Sequence, residues 1–334
     1  MSVKSFGFNQ QGEEILLYTI GNENIEFSVM NYGAVMVSLK EKKSGIDVLL
    51  GYDSAEGYLK EEGHLGSFVG RTANRIKDAK FELNGVTYQL EKNDGENNLH
   101  GGNDGFDTRM YEAEETETTL KFHRISPDGE SGFPGDLDVT ILYTLQENSV
   151  EMRVFAKALN KDTLFCWTNH NYYNADGSDT ILDQVLTIPA ETYADCSPDN
   201  ISVLPVKPVE NTAFDFRNGK PVGTDIERDD PQITANRGYD HHFAVDGEGL
   251  RTFAVFEGKQ VKVTVSSDMP GMHVYSGNFL NQPGKNGMMY HIHSGICFEP
   301  EYFPNAINYE GVTKPILRSG ETSEHVIVMR VEPR

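Results

Sequence analysis

The chain of 334 residues carries 29 Lys plus Arg against 51 Asp plus Glu, a formal charge of −22. A field of that sign repels phosphate backbones and anionic membrane surfaces, so it argues against a nucleic-acid or membrane role. The length is ample for a large core in one or two domains.

The opening "MSVKSFGFNQQGEE" lacks the apolar run of a signal peptide, and no later stretch approaches the apolar length of a membrane span. The best helix candidate, "SAEGYLKEEG" (54–63), is short and interrupted by glycine. The dominant pattern is period two. In "KFELNGVTYQL" the Asn84-Gly85 pair predicts a type I′ hairpin with Leu83 opposite Val86 and Phe81 opposite Tyr88. "LDVTILYTL" and "VEMRVFAKAL", separated by "QENS", predict a second hairpin, and "TFAVFEGKQVKVTV" a third. Between them in sequence, "GTDIERDDPQITANRG" (223–238) reads as one long polar loop, while "EHVIVMRV" reads as a late strand. Many strands with little helix predict a large antiparallel β-sandwich, with residues 1–334 forming one domain. Cys166, Cys196 and Cys297 are far apart and form no CxxC pair, which suggests reduced thiols and a cytoplasmic protein.

The chemistry is narrowed first by what is missing. No glycine-rich phosphate loop opens a helix, and no GxSxG elbow is present. The pairs His291/His293, expected on one strand face, and His241/His242 have no HExxH or cysteine companion, so no metal is expected. What remains is a set of odd polar stretches: "GRTANRI", "NNLHGG", "WTNHNYYN", "GYDHHF" and "FEPEYFPNAIN". Each alone has an ordinary structural reading, as an ion pair, a bonded histidine, a turn cap or a solvated strand end. Together they set aromatics beside amides, carboxylates and an arginine, which is what a sugar needs: apolar C–H faces to stack on and directional partners for its hydroxyls.

In this order and with these separations, the five stretches resemble the aldose 1-epimerase (galactose mutarotase) family, from about "NYGAVMVSLK" to "PILRSGE". The resemblance implies a single β-sandwich with a sugar cleft on one sheet, and cofactor-independent exchange of the α and β anomers of free aldohexoses such as galactose and glucose. Carried onto this chain, it makes Glu299 the catalytic base and His170 the acid, lying on opposite sides of the hemiacetal. His100, Arg75 and Asp240 then hold the sugar, with Asn74 beside Arg75. Five positions depart from the family pattern: Pro300 and Glu301 follow the base where Thr and Gln are usual, Asn171 replaces a serine, Tyr173 replaces a phenylalanine, and His273 stands where many members carry a glutamine facing the sugar. Rival readings are a sugar-phosphate epimerase, for which Arg75 and Arg71 are the nearby cations, a glycosidase pairing Glu299 with Glu301 or Asp240, and a non-catalytic sugar-binding protein. Monomer and homodimer both stay open.

Overall fold

The computed structural model describes residues 1–60 and 63–334. Its largest element is a nine-stranded sheet. From one edge run Glu112–Glu115, Thr119–Ser126, Leu137–Leu145 and Ser149–Ala158; from the other run Lys220–Pro221, Val185–Thr187, Arg251–Glu257 and Val261–Ser267. The strand Thr322–Pro333 lies between the two halves, pairing antiparallel with Ser149–Ala158 on one side and Val261–Ser267 on the other. Along three of the central strands alternate residues are buried: Val139, Ile141 and Tyr143; Val150, Met152 and Val154; Val261, Val263 and Val265. The period-two pattern therefore builds one apolar face.

That face is covered by two smaller sheets. The first is a four-stranded meander of Ser2–Phe8, Glu14–Gly21, Ile25–Met30 and Met36–Glu41. Tyr18 packs edge-on to Phe122 at 5.8 Å and Phe27 packs on Tyr143 at 6.4 Å. The second is six-stranded, in the order Tyr172–Tyr173, Ile296–Glu301, Gly271–Tyr275, Asp240–Ala244, Thr192–Tyr193, Lys207–Pro208. Its inner face carries Phe243, Met272, Val274 and Phe298, and the Phe256–Phe298 contact at 5.7 Å joins it to the large sheet. The architecture is the large antiparallel β-sandwich expected from the sequence.

The three hairpins form as read. Leu83 pairs with Val86 and Phe81 with Tyr88, with Asn84 and Gly85 both at positive φ. The helix candidate becomes Ala55–Lys60, and residues 61 and 62 lie outside the described part. Two local readings need correction. The segment 223–238 is not all loop: Pro231–Asn236 is an α-helix whose N-cap Asp230 accepts from the Gln232 N–H at 2.9 Å. The Asp-Pro start and the left-handed Arg237 at the C-cap are ordinary helix punctuation that the polar composition obscured. His291 and His293 do not share a strand face, because the chain turns after Tyr290 and His293 has φ 62°. All three cysteines are buried free thiols.

Candidate active site

The outer face of the six-stranded sheet is polar. In its three central strands, register places His273 opposite both Glu299 and His242, and Tyr275 opposite both Asp240 and Cys297. One face therefore carries Asp240, His242, His273, Tyr275, Cys297, Glu299 and Glu301, while Phe243, Met272, Val274, Phe298 and Pro300 take the other. A cavity of about 370 Å³ opens on this face, at the smaller end of the roughly 300–1,000 Å³ common for small-molecule sites. Its walls include Asn74, Arg75, His100, His170, Asp240, His273 and Glu299, so all seven residues singled out in the sequence meet in one pocket.

The loops aim their side chains by local bonding. In "NNLHGG" the Asn98–Leu99 strand pairs with Arg75–Ile76, and the His100 N–H donates to the Asn74 carbonyl at 3.1 Å. His100 has φ 54°, and Gly101 follows at φ 90°, where an added Cβ would come within 2.2 Å of the Gly70 carbonyl oxygen. The loop needs that glycine to close over the strand. The Asn74 N–H donates to His100 Nδ1 at 3.2 Å. This leaves the proton on Nε2, the nitrogen free to serve a ligand. Burial, reinforced by His64 and His170, pushes the His100 pKa well below the ordinary range.

His170 follows the two-residue strand Thr168–Asn169, and its backbone is pinned between Ser67 and Gly66. Its ring packs on Tyr172 at 5.1 Å, and Cys297 Sγ lies 3.5 Å from Nδ1. Its other nitrogen, Nε2, is 3.6 Å from Glu299 Oε1, with both side chains almost wholly buried. His170 and Glu299, read from the sequence as acid and base on opposite sides of the hemiacetal, thus stand side by side on the pocket wall.

Their protonation is also reversed from the free-residue expectation. Burial, and then the nearby Asp240 carboxylate, push Glu299 up to about 8; burial pushes His170 down to about 3. Near neutrality the pair holds one proton, and it rests on Glu299. Asp240 behaves differently: burial raises its pKa, but the hydrogen bond from His273 Nε2 at 2.6 Å and the charge of Arg75 outweigh it and bring it to about 2. Arg75 is itself held by Asp94 at 2.7 Å.

Wall residues that escaped the sequence reading include His64, Tyr172 and Tyr275. Tyr275 was within reach, two residues beyond His273 on the same strand face. His64 was not, because its partner Asp107, at 2.8 Å, and its ring neighbour His100, at 4.9 Å, are distant in sequence. Arg71 is misplaced by the sequence reading, since its guanidinium is buried against Ser126, Pro127, Pro134 and Thr163 and does not line the pocket. Of the five departures, only His273 lines it. Asn171 points into the core, with its amide between the sulfurs of Met36 and Met329 and the Tyr173 hydroxyl.

The aldose 1-epimerase family profile matches residues 16–330. The chain belongs to the aldose 1-epimerase family. Among family relatives, galactose mutarotase of Homo sapiens is 35% identical over 324 residues, covering 94% of this chain and 93% of that protein. Aldose 1-epimerase of Haemophilus influenzae is 36% identical over 310 residues, 89% of each chain. The solved structure of galactose 1-epimerase from Lactobacillus acidophilus superposes with a TM-score of 0.88 at 26% identity, covering 99% of this chain and 98% of that one.

Proposed function

We propose that Glu299 and His170 exchange the protons of anomer interconversion in this chain, while His100, Arg75, Asn74, Asp240 and His273 hold the sugar. The chain is an aldose 1-epimerase acting on free aldohexoses, galactose and glucose among them. The observation that carries the site assignment is the buried His170–Glu299 pair, 3.6 Å apart on the pocket wall.

The reaction takes a proton from the C1 hydroxyl and gives one to the ring oxygen. Those two oxygens sit on one carbon, so adjacent donor and acceptor groups fit them better than groups facing each other across the ring. The C1–O5 bond breaks, C1 becomes an aldehyde, the C1–C2 bond rotates, and closure on the other face returns both protons. One proton enters the pair as one leaves, so its proton count is unchanged throughout.

With Glu299 as base, the resting proton must first pass to His170. A bound sugar favours this: its C1 hydroxyl donates to the carboxylate, and its ring oxygen accepts from His170 Nε2–H, restoring solvation that burial removed from both ions. His100 Nε2–H and Arg75 add fixed donors, and Tyr172, Tyr275 and Phe279 offer faces to the C–H groups. Every step moves a proton between these side chains and the sugar, so the reading includes no cofactor or metal in catalysis.

A phosphorylated sugar is disfavoured. Arg75 is the one Lys or Arg among the described wall residues, and it is already paired with Asp94. A single sandwich domain, a cytoplasmic location and the absence of nucleic-acid partners belong to the same reading, the last resting on the charge of −22. Polarimetry of freshly dissolved α-D-galactose and α-D-glucose is the direct test. Decay to the equilibrium rotation should be faster with wild-type protein and should return to the spontaneous rate with Glu299→Gln.

A further inference from the structure

The polar sheet face continues beyond the pocket, and its next layer has a different chemistry. His242 and His273 stand opposite each other on neighbouring strands. Glu301 lies on the strand beyond His273, opposite Gly271. Glycine at 271 lets the two outer side chains meet across the middle strand: a Cβ there would lie 2.3 Å from His242 Nε2. With that gap open, His242 Nδ1 comes within 3.8 Å of Glu301 Oε1. One ligating atom from each of His242, His273 and Glu301 lies within 4.8 Å of the others, and all three residues are buried.

We propose that His242, His273 and Glu301 form a binding site for a divalent transition-metal ion of the zinc class, distinct from the proton-exchanging pair and sharing only His273 with the sugar pocket, where an ion on Nδ1 would leave that residue its ring edge alone to face the sugar. Three features carry this. First, His242 Nδ1, His273 Nδ1 and Glu301 Oε2 are buried atoms with no hydrogen-bond partner, an arrangement that is costly unless something occupies their lone pairs. Second, the outer contacts are those of a metal site. His273 Nε2 is bonded to the Asp240 carboxylate at 2.6 Å, which fixes its proton on that nitrogen and presents Nδ1 as the lone pair. Asn74 Nδ2 donates to Glu301 Oε1 at 3.3 Å, orienting the carboxylate. Third, two imidazoles and one carboxylate are a recognised zinc ligand set that leaves one position open. Bonds of about 2.0–2.1 Å require ligand atoms roughly 3.3 Å apart in a tetrahedron, so the present spacing needs only side-chain adjustment. The sequence neighbours of His242 offer it no ligand partners; the fold supplies two from other strands.

Cobalt(II) titration of tag-free protein tests the site, because a four-coordinate cobalt ion gives intense visible absorption bands. One equivalent should bind with those bands, and zinc should displace it. Glu301→Gln, His242→Asn and Gly271→Ala should each weaken binding at least about tenfold, with circular dichroism confirming that each variant is folded. Glu299→Gln should leave the stoichiometry and the bands unchanged. No binding at about 100 µM metal would overturn the proposal, as would binding that survives Glu301→Gln. Loss in Glu299→Gln instead would place the ion on His100, His170 and Glu299.

Discussion

Replacing Glu299 by glutamine should kill activity and at the same time make the protein more stable, by an amount that depends on pH. The Glu299 carboxyl is raised from 4.5 to about 8 in the folded protein by burial and by Asp240. A raised carboxyl pKa contributes its full stability below the unfolded value, and that stability is lost as pH climbs from about 4.5 towards 8. At pH 7 the unfolded chain has released this proton and the folded chain has not. The difference spans roughly 2.5 pH units, about 3 kcal/mol against folding at about 1.4 kcal/mol per unit. Glutamine does not titrate, so Glu299→Gln should recover on the order of that energy at pH 7. For a chain of this size it corresponds to a Tm rise of about 4 °C, and the rise should nearly vanish at pH 4.5. Calorimetry of both proteins at the two pH values gives the answer. A variant that is less stable than wild type by the same margin at both would mean that Glu299 is already ionised in the folded state, and the assignment of the resting proton would be wrong.

The pH profile of kcat/KM offers an independent check on the same pair. Activity should hold through pH 7 and fall above about 8, roughly tenfold per unit, as the pair loses its one proton; a limb near 6.5 would instead report an ordinary histidine. His170→Ala should lower kcat by about 10²–10⁴, while His100→Ala should raise KM as well as lower kcat, since its Nε2 is read as a sugar donor; steady-state kinetics separates the two, and equal small effects would leave the acid unassigned. Asn171→Ser, restoring the family residue, should leave KM within about twofold because the side chain faces the core. Exhaustive EDTA treatment should leave the rate of anomer exchange unchanged, and recovery on adding zinc after a loss would contradict the mechanism.

Much of this was legible in the chain because it was written locally. The Asn84-Gly85 turn fixes its own register, and strict alternation in "LDVTILYTL" marks a half-buried strand without reference to anything distant. The pocket residues were legible through motif order, and the seven named side chains do line one cavity. What the sequence hid was relational. The inverted proton preference of Glu299 and His170 comes from burial that no single motif states. The contact of His64 with His100, and the meeting of His242 with Glu301 over Gly271, depend on pairing between separate strands and loops. The helix Pro231–Asn236 was missed for the opposite reason: its cap was in plain view, but six residues give too little periodicity to register.

The position of Thr322–Pro333 in the middle of the nine-stranded sheet bears on how the molecule is made. The strands between 112 and 158 and those between 185 and 267 form two blocks with no pairing across the gap until this segment arrives. During synthesis, each block presents an unpaired apolar edge while roughly the last fifth of the described chain is still being added. An edge left open that long is a template for another copy, so production should be sensitive to chaperone supply and to crowding on the ribosome. A stop codon before residue 322 should yield insoluble product even though the proposed catalytic pair is already complete. The strand Thr322–Pro333 acts as a keystone, the one element among the described residues that joins the two blocks into a single sheet.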